Sequence, residues 1–155
     1  MANTYSQLYV QIVFTVRGRK HMIHKKYKDD LERYITSVVQ LGRTKMIQIY
    51  CMPDHIHILI GLHPSESISQ IVQKIKVSST KFLKKQDVIF RNFSWQKGFG
   101  AFSYAHSQLG RIATYVQNQE AHHRRKTFKQ EYIKTLEKFN VSYDEKYLFD
   151  FYDSE

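Results

Sequence analysis

The segment Pro53-Asp54-His55-Ile56-His57-Ile58-Leu59-Ile60 holds two imidazoles separated by one residue. On an extended backbone alternate side chains share a face, so His55 and His57 fall on one side and Ile56, Ile58, Ile60 and Leu62 on the other. Two neutral imidazoles side by side can bind one divalent metal; the same alternation also describes a half-buried strand with its polar residues outward. With one cysteine, Cys51, and no third histidine at ligand spacing, structural zinc is not expected. A second segment, Gly110-Arg111-Ile112-Ala113-Thr114-Tyr115-Val116-Gln117-Asn118-Gln119, continues to His122-His123. Leu109, Ile112, Ala113 and Val116 make a packing stripe, and Tyr115 and Gln119, four residues apart, lie together on an adjacent helical face. A phenol and an amide oxygen then point into one space, although the spacing equally suits a boundary tyrosine beside a solvated glutamine.

The elements that must position these groups follow from periodicity. Leu8, Val10, Ile12, Phe14 and Val16 alternate with Tyr9, Gln11, Val13 and Thr15, which predicts a strand ending at Arg17-Gly18-Arg19. Three-and-four spacing from about Lys25 to Leu41 predicts an amphipathic helix stopped by Gly42. Lys45 to Cys51 reads as a second strand, and the Pro53-Asp54 turn leads into a third, His55 to Leu62, antiparallel because so short a turn cannot carry a parallel crossover. Ser67 and Gln70 form a capping-box pattern for a second helix to about Lys85, whose outer face is basic. Phe99 to His106 reads as a fourth strand. Helices follow over Gln108 to about His122, with Ser107 as its cap, and over about Phe128 to Lys138. The order strand, helix, strand, strand, helix, strand predicts an α+β fold of the split-βαβ, ferredoxin-like or RNA-recognition-like type: one four-stranded antiparallel sheet, two helices on one face, and the opposite face open. The Tyr115 helix is then an addition at the C-terminal side.

Composition bounds the partner. Lys and Arg number 24 against 14 Asp and Glu, a net charge of +10. The stretch from Tyr143 to Glu155 carries five acids and one base, so residues 1–142 hold 23 bases against 9 acids, or +14. Residues 1–140 are expected to form one domain and 141–155 an acidic tail. A basic, aromatic-rich globule suits a polyanion. The lone cysteine excludes an intramolecular disulfide, and neither a secretory signal nor a membrane-spanning run is apparent, so a cytoplasmic location without a membrane partner is expected.

Four separated motifs add a resemblance. Leu8-Tyr9-Val10-Gln11-Ile12-Val13-Phe14, Pro53-Asp54-His55-Ile56-His57, Trp95-Gln96-Lys97-Gly98-Phe99-Gly100 and Tyr115 to His123 together resemble the small single-tyrosine HUH transposases of the insertion-sequence 200/605 family, over about Met1 to Glu131. The resemblance implies that His55 and His57 are ligands of a divalent metal, Mg²⁺ or Mn²⁺, that Gln119 is a polar third ligand, and that Tyr115 is the nucleophile. It implies cleavage and rejoining of single-stranded DNA at hairpin-flanked ends through a 5′-phosphotyrosine and a free 3′-hydroxyl. It also implies a homodimer in which the tyrosine helix of one subunit completes the histidine site of the other.

The remaining residues are less selective. Arg17, Arg19 and Lys20 with Lys74, Lys81, Lys84 and Lys85 suit either the backbone of a DNA hairpin or a solvated charged face. His122 and His123 match a family feature or favour the end of a helix. Trp95 and Phe99 suit base stacking or the core. A non-catalytic RNA- or single-stranded-DNA-binding module of RNA-recognition type competes with the enzyme reading, as does a domesticated relative acting on chromosomal repeats; against the module, the central strands lack its aromatic motif.

Overall fold

The computed structural model describes residues 3–152; Asp153 and Glu155 of the acidic stretch lie outside the described residues. Four strands, β1 (Tyr9–Thr15), β2 (Lys45–Cys51), β3 (His55–Gly61) and β4 (Gly100–Tyr104), form one sheet in the order β2-β3-β1-β4. Every pairing is antiparallel, with Val13 opposite His57, Ile12 opposite Ile58, and Gln11 opposite Phe102. Helices α1 (Lys28–Gln40) and α2 (Ile68–Gln86) supply the two crossovers of the split-βαβ pattern. Ser67 caps α2 by accepting from the Gln70 amide at 3.3 Å.

One sheet face is the expected apolar core. Ile12, Phe14, Ile56, Ile58 and Ile60 are buried with Leu31, Ile35, Val72, Ile75 and Leu83 of the two helices. Trp95 joins them rather than a binding surface: it lies edge-on to Phe14 at 4.9 Å, and its indole N–H donates to Ser79 Oγ at 2.9 Å.

The second face is not open, and this corrects the expectation from the split-βαβ pattern. Helices α3 (Leu109–Gln117), α4 (Gln119–His122) and α5 (Phe128–Lys138) fold back over it. Ile112 and Val116 bury against Leu59, while Phe128, Tyr132 and Leu136 join the main core. The physical reason is that α3 and α5 each carry an apolar stripe, and the free sheet face is where those stripes leave water. β1 is therefore buried on both sides, including Gln11 and Thr15.

Two local details also differ from expectation. The helix predicted from Gln108 to His122 breaks at Asn118, where φ −97° and ψ 26° leave the helical region and the amide is shared between Thr114 O and Tyr115 O. Ser107 does not cap α3; His106–Gln108 forms a 3-10 turn instead. In the C-terminal stretch Phe149 is buried and packs with Tyr132, while Asp144, Glu145 and Asp150 stay exposed. Gln96 ties this stretch to the sheet, donating to Val16 O and Asp150 O and accepting from Asp150 N.

The start of α5 is held by a reciprocal cap: Thr127 Oγ1 accepts from Gln130 N at 3.1 Å, and Gln130 Oε1 accepts from Thr127 N at 3.0 Å. Thr127→Ala removes half of that pair and should lower the free energy of unfolding by about 1 kcal/mol in denaturant titration.

Candidate active site

Strand β3 places His55 and His57 on the face covered by α3 to α5, where they are 1% and 3% exposed. Their rings meet edge-on with centroids 5.2 Å apart, and His55 is stacked flat on Phe128 at 3.8 Å. Each ring is oriented by a neighbour through Nδ1. His55 Nδ1 lies 2.7 Å from Asp54 Oδ1, and His57 Nδ1 lies 2.7 Å from Oε1 of Gln11, which sits diagonally across the β1–β3 ladder. A carboxylate and a carbonyl oxygen only accept, so both Nδ1 atoms carry the proton and both Nε2 atoms point inward. The same amide donates through Nε2 to Tyr104 OH at 2.8 Å.

Inward of these rings stand Gln119, which is fully buried, and Glu131, which is 8% exposed. Gln119 Oε1 lies 3.4 Å from His55 Nε2 and 3.1 Å from His123 Nε2, while its amide nitrogen donates to Tyr115 O at 3.3 Å. Glu131 Oε1 lies 3.2 Å from His57 Nε2 and 3.5 Å from His123 Nε2. Tyr115 completes the group, its ring edge-on to His57 at 5.8 Å and its hydroxyl near enough to Glu131 to feel the carboxylate's charge.

Burial and charge tune the site in opposite directions. Burial pushes the His57 imidazolium down, so the ring is neutral at pH 7. Burial alone would raise Glu131, but its histidine neighbours, His123 foremost, outweigh it and hold the carboxyl far below its usual range. Burial, then the charge of Glu131, push the Tyr115 phenol up. Asp54 is held below the carboxylate range because its bond to His55 outweighs burial.

These assignments leave a neutral His57 lone pair facing an ionised carboxylate oxygen at 3.2 Å, an arrangement that calls for a cation between them. His55, His57 and Glu131 offer ligand atoms within 4.8 Å of one another. A divalent ion with bonds of about 2.1 Å closes that spread with small side-chain movements. Two imidazoles, a carboxylate and an amide oxygen fit such an ion.

The structure thus brings together His55, His57, Tyr115 and Gln119 within one chain. The composite arrangement implied by the resemblance would instead draw the tyrosine helix from a partner. It does not bring the expected basic residues to this place: Lys74, Lys81, Lys84 and Lys85 are exposed on α2, behind the opposite sheet face, and Arg17, Arg19 and Lys20 are exposed beyond β1. Arg19 donates to the Tyr152 carbonyl of the C-terminal stretch. Sequence reasoning missed Glu131 and Gln11. Glu131 lies on the inner face of α5 with Phe128, Tyr132 and Leu136, and a charged residue on an apolar helical stripe is the signal that could have found it.

A split-βαβ sheet that presents paired histidines to a helix-borne tyrosine defines the class: a single-tyrosine DNA transposase rather than a base-stacking module, whose platform would need the face that is covered here. More particularly, residues 4–119 match the transposase IS200-like family, and the chain belongs to it. It is similar to the ISDra2 transposase TnpA of Deinococcus radiodurans, with 19% identity over 118 residues, covering 73% of this chain and 84% of that protein. Among solved structures it shares its fold with a candidate transposase of Deinococcus radiodurans (17% identity, TM-score 0.57, 76% of this chain and 94% of that one). It shares it also with a REP-associated tyrosine transposase bound to a REP hairpin (16% identity, TM-score 0.59, 78% of this chain and 72% of that one). The family match ends at Gln119, so His123, Glu131 and α5 lie beyond it.

Two measurements check the cation site. Mn²⁺ at about 100 times its Kd should stabilise the protein by about 2.7 kcal/mol in thermal or chemical unfolding, an effect lost in His57→Ala. Asp54→Asn should weaken Mn²⁺ binding about 10- to 100-fold in calorimetry by freeing the His55 ring. Without metal, pH gives a further check. Asp54 and Glu131 have folded values below their ordinary 3.8 and 4.5, so the stability they contribute is present above those values and lost as pH falls through the folded ones. The melting temperature should fall on acidification below about pH 4, and less steeply in Asp54→Asn.

Proposed function

We propose that this chain is a DNA strand transferase that cuts and rejoins single-stranded DNA at hairpin-flanked ends, with Tyr115 as the nucleophile. The observation that carries the reading is the placement of the Tyr115 hydroxyl beside a buried cluster of His55, His57, Gln119 and Glu131.

The phenol oxygen of Tyr115 attacks the scissile phosphorus in line, a P–O bond forms to tyrosine, and the bond to the 3′-oxygen breaks. The products are a 5′-phosphotyrosine and a 3′-hydroxyl, which takes up the proton. Glu131, whose charge bears on the phenol, accepts that proton on its way out. Attack by another 3′-hydroxyl on the phosphotyrosine reverses the chemistry and joins strands without an external energy source. Because burial and the Glu131 charge hold the phenol protonated, the resting protein is slow to attack phosphate unaided. A divalent cation, Mg²⁺ or Mn²⁺, held by His55, His57, Glu131 and Gln119, would supply Lewis-acid charge to the phosphate oxygens and offset that of Glu131.

The hairpin partner is supported by the fold shared with a REP-associated transposase bound to a REP hairpin. Arg17, Lys20, Lys74, Lys81, Lys84 and Lys85 are exposed and could meet such a stem, although Arg19 is engaged by the C-terminal stretch. The homodimer implied by the resemblance would then hold two sites, each completed within its own chain.

End-labelled single-stranded hairpin DNA with Mn²⁺ should give a covalent adduct on a denaturing protein gel. The adduct should vanish in Tyr115→Phe and fall at least about 100-fold in Glu131→Gln. An adduct that persists in Tyr115→Phe rejects the assignment. Mixing Tyr115→Phe with His55→Ala should restore nothing, because a site built within one chain cannot be rescued by the other mutant; restored cleavage would establish the trans arrangement.

A further inference from the structure

Resting on the transposase reading above, we infer that the cationic cavity on the outer side of Tyr115 is the seat of the single-stranded DNA backbone, holding the phosphates next to the bond that is cut. The cavity has a volume of about 370 Å³ and is walled by Arg125, Lys126, Lys134 and Lys138, with Tyr115 and Glu131 at its inner end. That volume is in the range that holds small ligands, about 300 to 1,000 Å³, and suits one nucleotide unit at a time along a strand.

Three features point to a phosphate rather than a neutral occupant. Glu131, Lys134, Thr135 and Lys138 share one face of α5 through three-and-four spacing, so this face presents Glu131 to the histidines and Lys134 and Lys138 to the cavity. Glu131 is engaged by His57 and His123, and among the described residues none of the four cations is ion-paired. Lys126 and Lys134 face each other closely enough that the Lys134 ammonium holds Lys126 below the usual lysine range. Two like charges gathered at one cavity mouth are unfavourable until an anion sits between them. The remaining wall is apolar, with Tyr104, Ile112 and Phe139, which suits the sugar and base of an unpaired strand. The exposed lysines of α2 lie behind the other sheet face and cannot serve the same phosphates.

The test uses the full chain carrying Tyr115→Phe, so that binding is read without cleavage. Anisotropy of a labelled unstructured single strand, measured over a salt series, gives the slope of log K against log salt. Lys126→Ala with Lys134→Ala should reduce that slope by about 1.4, or about 0.7 per phosphate contact, while the slope for an isolated hairpin stem stays unchanged. Lys84→Ala with Lys85→Ala, an equal loss of charge on α2, should leave the single-strand slope as it was. An unchanged single-strand slope in the cavity variant overturns the inference, as does an equal fall for the stem or for the α2 variant. Relief of the like-charge contact means that the cavity variant should melt no lower than its parent; should it fail to fold, Lys134→Gln alone, with an expected reduction of about 0.7, takes its place. Adduct formation by the unaltered chain with no change of slope removes the cavity assignment alone. A reduced slope without any adduct keeps the cavity and removes the transposase reading.

Discussion

Two acceptors face each other in the interior of this protein, the Nε2 lone pair of His57 and a carboxylate oxygen of Glu131 at 3.2 Å, and the rest of the site is arranged around that opposition. Gln11 fixes the proton of His57 on the far nitrogen, and Asp54 does the same for His55. Burial disfavours the simplest relief, protonation of His57. Taking a carboxylate out of water costs several kcal/mol, and His123 offsets only part of the acceptor charge gathered here, so a cation would complete the arrangement. The cluster is therefore best understood as a binding site held in shape by its outer hydrogen bonds, with Tyr115 set at its rim.

The fold supplies this geometry by closing a sheet on both faces. One face carries the isoleucine-rich core that α1 and α2 cover. The other would expose Leu59 and both histidines, and the apolar stripes of α3 and α5 close it. Closure takes water away from the imidazoles and strengthens every charge inside. It also delivers two groups the strand itself cannot provide: a phenol from α3 and a carboxylate from α5. The break at Asn118 turns the chain so that Gln119 reaches inward while Tyr115 keeps its place on the preceding helix.

Much of this was legible in the amino-acid sequence. Period-two and period-three-to-four patterns located all four strands and the main helices, because each has one clearly apolar face. The histidine pair and the tyrosine-glutamine pair could be read as sharing sites, since one spacing belongs to a strand and the other to a helix. Covering of the second sheet face was not legible, because no local pattern says where a C-terminal helix docks. Glu131 was hidden for the same reason: its role depends on a contact with His57 across 74 residues. Gln11 looked like an ordinary outward polar residue on an alternating strand, and only the β1–β3 register sets it diagonally across from His57. The basic residues were legible as charge but not as position, for the cations nearest the chemistry are those of the α4–α5 turn and α5, not those of α2.

The most direct measurement is anomalous diffraction from crystals of the full chain grown with Mn²⁺. One anomalous peak is expected, bounded by His55 Nε2, His57 Nε2 and a carboxylate oxygen of Glu131 from the same chain, with the Tyr115 hydroxyl beside it. A Mn²⁺-bound crystal with its peak elsewhere, or a peak completed by the tyrosine helix of a neighbouring chain, would contradict a cation site built within one subunit.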